Sequence, residues 1–243
     1  PDCKNIIFLA GMKFGSSSNE SLVWAMNAFM PGLVARRFQG SRIVSVSSGN
    51  VFGLNSIYHG GAVESQAPQP FGDYAQSVLG RDRIFEHFSR TTNTPVVNVR
   101  LFYAAETRYG IILDVAEKIL HDTPIDIALG NLNCIWQGDA NSQIIRCLRH
   151  ASCPGKVITV TGPEIASIRW MATRLGELLG KEPKFSGTEA PDVILGNSAL
   201  ASRLFGYPQV PLDQIIIWVA NWAKKGLPTL GKPTKFQVRD GKF

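Results

Sequence analysis

The stretch from Arg42 to Glu86 restricts the fold more than any other part of the chain. It begins with the apolar run Ile43-Val44-Ser45-Val46 and passes into Ser47-Ser48-Gly49-Asn50-Val51-Phe52-Gly53. A β-branched run that ends in small hydroxyl residues and glycine reads as a buried strand emptying into a functional loop. Beyond a loop rich in glycine and proline, Tyr74, Ser77, Val78, Arg81 and Phe85 recur at helical spacing. One face of that helix can therefore look back at the loop. A hydroxyl at a strand's carboxyl end, met by a phenol from the next helix, makes Ser48 and Tyr74 a candidate proton-transfer pair. A turn-capping serine beside a packing tyrosine is the plainer reading of the same residues.

The flanking segments alternate in the same way. Ile6 to Gly11 reads as a buried parallel strand, and Asn19-Glu20-Ser21 caps a helix that Pro31 should kink. A strand over Val96–Leu101 follows the Tyr74 helix, then a helical pattern over Ile111–His121 and a short strand at Ile125–Ile127. Val157–Val160 is a further strand, Ser167 caps a helix that Gly180 ends, and helical patterns follow over Asn197–Leu204 and Leu212–Lys225. Such alternation predicts an α/β fold with a parallel sheet and helices on both faces. Glu106 and Arg108 follow the carboxyl end of a strand, where open α/β sheets bind ligands. They are candidate substrate contacts, with a surface ion pair as the alternative.

Composition narrows the function classes. The 243 residues are 44% hydrophobic and 18% charged, as in an ordinary globular protein. No apolar run reaches the roughly 20 residues of a membrane span, and no charged-then-apolar leader is visible, so a cytoplasmic protein is expected. Cys3, Cys134, Cys147 and Cys153 form no Cys-x-x-Cys pair and do not cluster with histidines, which argues for a reducing compartment and no metal site. The net charge of +6 suits an anionic cofactor or substrate. Lysines and arginines are scattered, without the stripe that nucleic-acid binding needs.

Ser48-x-x-Val51-Phe52-Gly53 followed by Tyr74 resembles the extended short-chain dehydrogenase/reductase family, the NAD-dependent sugar epimerases and dehydratases. The resemblance covers nearly all of residues 5 to 226. It implies Ser48 as the catalytic serine and Tyr74 as the catalytic acid/base. It implies NAD or NADP against Leu9, Ala10, Gly11, Ser47, Tyr74 and Tyr103, and substrate against Asn50, Arg100 and Asn133. Three departures stand out. Val78 holds the position of the family's lysine, which lowers the tyrosine pKa and holds the nicotinamide ribose. Tyr103 replaces an asparagine, and Asn133 falls where nucleotide-sugar members carry an arginine. Asp139 matches an aspartate that caps a helix. Arg81 lies two turns beyond Tyr74, roughly 10 Å along the axis, so its guanidinium must fold back to take the lysine's place.

The strand ending Leu9-Ala10-Gly11 matches the fourth strand of the family sheet, and no Gly-x-Gly-x-x-Gly pyrophosphate cradle is present. A partial copy of a longer chain is the favoured explanation, and weak dinucleotide binding by the chain as written is expected. Residues 1–155 are expected to form an incomplete Rossmann-like domain with interleaved substrate-lobe segments, 156–226 mainly a small C-terminal α/β substrate lobe, and 227–243 a surface tail. The function expected from the resemblance is NAD(P)-dependent epimerase, dehydratase or oxidoreductase chemistry on a sugar or sugar acid. The competing expectation is a catalytically impaired relative that serves as a sensor or partner subunit. Neither nucleic acid nor membrane is expected as a partner; homodimerisation is left open.

Overall fold

The computed structural model describes residues 3–13 and 18–241. The chain opens with strand β1 (Asn5–Phe8) and helix α1 (Glu20–Trp24), whose first turn is capped by Asn19 Oδ1 accepting from Leu22 N at 3.1 Å. A π-helical turn over Ala25–Phe29 joins α1 to α2 (Met30–Arg37), with Pro31 in the first turn of α2. The irregularity expected from Pro31 has a local reason: proline has no N–H to give to the Asn27 carbonyl. That carbonyl accepts from the Arg81 side chain instead, Nε at 3.4 Å.

Strand β2 (Arg42–Ser48), the short β3 (Asn55–Ser56) and the long helix α3 (Gly72–Thr92) come next. They lead to β4 (Val96–Leu101), β5 (Tyr103–Ala105), α4 (Ile111–Leu120), β6 (Ile125–Asp126), β7 (Asn131–Leu132), β8 (Cys134–Trp136) and α5 (Gln137–Arg146). The last third holds β9 (Lys156–Val160), β10 (Ala166–Ser167), α6 (Ile168–Leu179), β11 (Phe185–Ser186), β12 (Asp192–Val193), α7 (Ala199–Phe205) and α8 (Leu212–Lys224). Four strands form the central parallel sheet in the order β1-β2-β4-β9. Parallel neighbours need crossover connections, which α1 and α2 supply between β1 and β2, α3 between β2 and β4, and the segment holding α4 and α5 between β4 and β9.

The register divides the sheet into two unlike faces. Val44 pairs with Val97, Val46 with Val99, and Val99 in turn with Ile158, so one face is apolar and packs with Ala140 and Ile144 of α5 and with Phe205 of α7. The alternate residues Ser45, Ser47, Asn98 and Arg100 share the opposite face, which α3 covers with Asp82. A second apolar cluster lies among α4, α6 and α8, with Ile112, Val115, Ile119, Met171, Leu175, Ile216 and Val219 fully buried. Each such side chain contributes about 1.5–3 kcal/mol on burial. Ser167 caps α6 through Trp170 N at 3.0 Å, and Gly180 closes it in the left-handed region at φ 72°.

Two local expectations are corrected. Asp139 lies inside the first turn of α5, behind Trp136 at the cap position, and accepts from Val210 N at 3.0 Å, tying α5 to the approach to α8. The terminal segment is more than a surface tail. Phe236 is buried in the cluster of α4, α6 and α8, and Arg239 pairs with Asp192. Its glycine and proline content misled because a single aromatic anchor is enough to fasten an irregular strap. Among the described residues no helix is long and apolar enough to cross a membrane.

Candidate active site

The carboxyl ends of β1, β2 and β4 open onto a cavity of about 330 Å³. Ser48 ends β2 as an extended residue and caps a 3-10 turn, Gly49–Phe52. Its Oγ accepts from Asn50 N at 3.2 Å and donates to Asn50 Oδ1 at 3.0 Å. Gly49 is required here, because a Cβ would lie 2.5 Å from the Phe102 ring that closes the cavity floor. Tyr74, near the start of α3, shares a side-chain hydrogen bond with Ser48. The serine and phenol that the sequence spaces a loop and a helical turn apart therefore meet at one point. Burial raises the Tyr74 pKa above its ordinary value of 10.0, and the Ser48 hydrogen bond and the Arg81 charge oppose the rise.

Leu9, Gly11, Ser47, Ser48, Asn50, Tyr74 and Tyr103 all line this cavity, so seven of the candidate residues are brought together. Burial pushes the Tyr103 phenol up to about 12. Ala10, in the segment beyond β1, stands outside the lining.

Four candidate substrate residues are placed elsewhere. Arg100 lies on the α3 face of the sheet, with Nε 3.3 Å from Asp82 Oδ2 and both side chains almost fully buried. Its guanidinium also stacks over the Phe52 ring at 4.4 Å, which leaves it holding the packing together rather than facing a ligand. Glu106 and Arg108 pair with each other at 3.1 Å on a tight turn closed by Glu106 N donating to Tyr109 O at 3.0 Å. Neither lines the cavity, because the turn directs both outward while Tyr109 and Gly110 point in. Asn133 is buried and donates to Gly196 O at 2.6 Å and Gly162 O at 3.2 Å. Its amide braces the segment at Gly196 and borders a separate cavity of about 460 Å³ lined also by Arg203 and Tyr207.

The cavity also gathers residues outside the candidate set. Lys13 follows the Leu9–Gly11 segment, and its Nζ lies over the Tyr74 ring, 5.9 Å from the centroid. Burial first, and then Lys235, bring its pKa down to about 8, against the pull of Asp114. Tyr109 enters from the turn before α4, its pKa raised by burial and then by Asp114 and Tyr74. Thr234 comes from the terminal strap and donates its backbone N–H and hydroxyl to Asp114 Oδ2 at 2.7 and 2.5 Å. Position next to Leu9–Gly11 was the one sequence signal for Lys13. Thr234 has none, since it reaches the cavity across more than a hundred residues of chain.

Asn27 organises the wall between these elements. Fully buried, it donates from Nδ2 to Met12 O at 2.8 Å and to Ser77 Oγ at 3.1 Å, and accepts from Met12 N at 2.9 Å and Arg81 Nη2 at 3.0 Å. The side chain thus joins the loop after β1 to α3.

No protein-family model matches the sequence, and no curated protein sequence matches it. Solved structures match over almost the whole chain. A UDP-glucuronic acid 4-epimerase from Bacillus cereus in complex with NAD superimposes with a TM-score of 0.80 at 20% identity, over 92% of this chain and 75% of that one. RMD from Pseudomonas aeruginosa, complexed with NADPH, gives 0.79 at 18% identity, over 93% and 83%. A UDP-glucose 4-epimerase from Thermotoga maritima with UDP-glucose gives 0.75 at 15% identity, over 92% and 78%. The fold is the one these three structures share.

Proposed function

We propose that the cavity is the reacting end of an NAD(P)-dependent epimerase or dehydratase site that takes a sugar or sugar acid. The observation that carries the reading is the Ser48–Tyr74 hydrogen bond, lodged between the end of β1 and Tyr103 at the carboxyl edge of a parallel sheet. The nicotinamide half of a dinucleotide fits the residues present. Gly11 supplies backbone with no side chain in the way, Leu9 supplies apolar surface, and Ser47, Tyr74 and Tyr103 supply polar groups. Bound there, a nicotinamide would supply hydride acceptance and return. A glycine-rich turn for the pyrophosphate is not among the described residues, so the fit is to the nicotinamide and its ribose alone.

The chain's own part is proton handling. Tyr74 takes the proton from a substrate hydroxyl as its carbon becomes a carbonyl, and returns it on the way back. Ser48 hydrogen-bonds the same oxygen, and Asn50 holds the serine rotamer through both of its bonds to Ser48. Tyr103, Phe102 and Ile194 keep the space dry, which strengthens every charge interaction inside it. With Arg100 and Asn133 both engaged in packing, sugar hydroxyls are met in this cavity by hydroxyl and amide groups, and Lys13 and Arg81 are the cations in the lining for the carboxylate of a sugar acid.

Isothermal titration with NAD, followed by turnover assays on sugars, sugar acids and their nucleotide esters, tests the reading. Substrate-dependent turnover, followed as product formation or as transient reduction of NAD, that disappears in Tyr74→Phe supports it. Turnover that persists in Tyr74→Phe would sink it.

A further inference from the structure

Helix α3 carries a buried cation that the packing does not need. Arg81 is almost fully buried, and among the described residues it forms no ion pair. Its neighbour Asp82 makes its ion pair with Arg100, and acts on Arg81 through its charge without contact. Leaving a charge buried without a counter-ion is unfavourable by several kcal/mol, so an uncompensated guanidinium needs another justification. Its position supplies one. Side chains on a helix lean toward the N-terminus, which carries Arg81 back along α3 to the cavity that Tyr74 lines.

The guanidinium is held there by three contacts, all from the elements that frame the cavity. Nη1 donates to Val46 O at 2.5 Å, Nη2 to Asn27 Oδ1 at 3.0 Å, and Nε to the Asn27 carbonyl that Pro31 leaves available. Phe8 lies under it, 5.2 Å from ring centroid to guanidinium carbon. Gly11 makes the room, since a Cβ there would stand 2.5 Å from Arg81 Nη2. A glycine, a proline and a buried asparagine thus converge on one arginine. Three of its five N–H groups are used, so Nη1 and Nη2 each retain one.

Resting on the assignment of Tyr74 as the acid/base, we propose that Arg81 is the positioning cation that readies Tyr74, in place of a lysine one turn along the helix. That nearer position is Val78, apolar and buried against Phe52 and Phe102. The charged and titratable groups around Tyr74 are Arg81 on its own helix, Ser48 after β2, Lys13 after β1, and Tyr109 and Asp114 at α4. Arg81 opposes the rise in the Tyr74 pKa, and Tyr74 in turn favours the charged form of Arg81. Lys13 is the rival cation. Its pKa of about 8 lies below that of the tyrosine, so its charge is gone before Tyr74 ionises. A guanidinium keeps its charge at every working pH. The part of the field on the tyrosine that comes from Arg81 is therefore constant, and it persists on the alkaline side where the Lys13 charge is lost.

The test reads the phenol directly, without cofactor or turnover. Replacing Tyr74 by 3,5-difluorotyrosine gives a more acidic phenol whose titration is followed by 19F NMR in the full chain. Arg81→Met should raise that pKa by one unit or more, a tenfold loss of phenolate. Lys13→Met should raise it by less. Arg81→Met combined with Val78→Lys should bring it back, since the new lysine stands one turn from the phenol. Should Arg81→Met fail to fold, Arg81→Gln keeps amide donors for Val46 and Asn27 without the charge and carries the same expectation. An unmoved phenol in the folded neutral variant, or a larger shift from Lys13→Met, overturns the proposal. Neither outcome touches the acid/base assignment, which stands or falls on turnover by Tyr74→Phe.

Discussion

Arg81 and Arg100 sit at the same depth on either side of one helix–sheet interface and are used in opposite ways. Arg100 rises from β4 against α3, meets Asp82, and stacks on Phe52. The pair is made through one contact, Nε to Oδ2, with Arg100 Nη1 and Asp82 Oδ1 buried and without a hydrogen-bond partner among the described residues. Burial raises the Asp82 pKa and the Arg100 charge opposes the rise. Arg81, the residue just before Asp82, rests on carbonyl and amide oxygens and presents its charge to a cavity. A buried guanidinium with a carboxylate belongs to the packing, and one without a carboxylate belongs to the site. Sequence alone offered Arg100 as a substrate contact and Arg81 only as a cation that must fold back toward Tyr74, and could not say which of them a carboxylate would meet.

The contrast can be broken in several places. The largest effect is expected at the cavity: Tyr74→Phe should lower turnover by roughly 10²–10⁴-fold, the usual worth of a positioned acid/base, while the urea midpoint hardly moves. Stopped-flow assays beside denaturant curves separate the two readings. On the packing side, Asp82→Ala should do the reverse. It strands Arg100 as an uncompensated buried charge and should reduce stability by about 3–5 kcal/mol, leaving the activity per folded molecule intact. A kcat that fell with Asp82→Ala in proportion to Tyr74→Phe would erase the distinction between the two faces.

Asn133→Ala should have an intermediate effect. It removes the donors to Gly162 O and Gly196 O and should lower stability by about 1–3 kcal/mol, seen as an earlier thermal transition. Retained stability together with lost substrate affinity would return Asn133 to the role of substrate ligand. The smallest effect belongs to the exposed arginines of the same helix. Arg83 and Arg90 hold the Glu86 carboxyl below its ordinary value, with the Arg83 hydrogen bond the largest cause. A depressed carboxylate pKa stabilises the fold above the unfolded value of about 4.3 and loses that contribution as pH falls through the folded one. Glu86→Gln should therefore reduce stability by about 0.5 kcal/mol at pH 7 and by nothing at pH 2. Denaturation at both pH values checks the sign.

Much of the architecture was legible from local chemistry. Asn19 and Ser167 announced helix starts because a short polar side chain can satisfy backbone donors that have no other partner. Gly180 announced a helix end because it takes the left-handed turn without strain. Ser48 and Tyr74 were legible as a pair because a strand end and the next helix's first turn are neighbours in any parallel α/β unit. Arg100, Glu106, Arg108 and Asn133 were legible as polar residues near strand ends but not as residues in use elsewhere. Which way a side chain faces at the end of a strand depends on the last residue that remains in register.

By itself, then, the sequence determined the alternation of strands and helices, the caps at Asn19, Ser167 and Gly180, which depend on contacts within a few turns of chain, and the Ser48–Tyr74 pair, which depends on one strand end and the helix that follows it. The tertiary structure alone decided which charges are spent. Asp82 reached Arg100 across the sheet, and Thr234 reached Asp114 from the far end of the chain. Asn27 and Val46 held Arg81 at the cavity. A charge finds its partner through distance and desolvation, and neither quantity exists until the chain has packed.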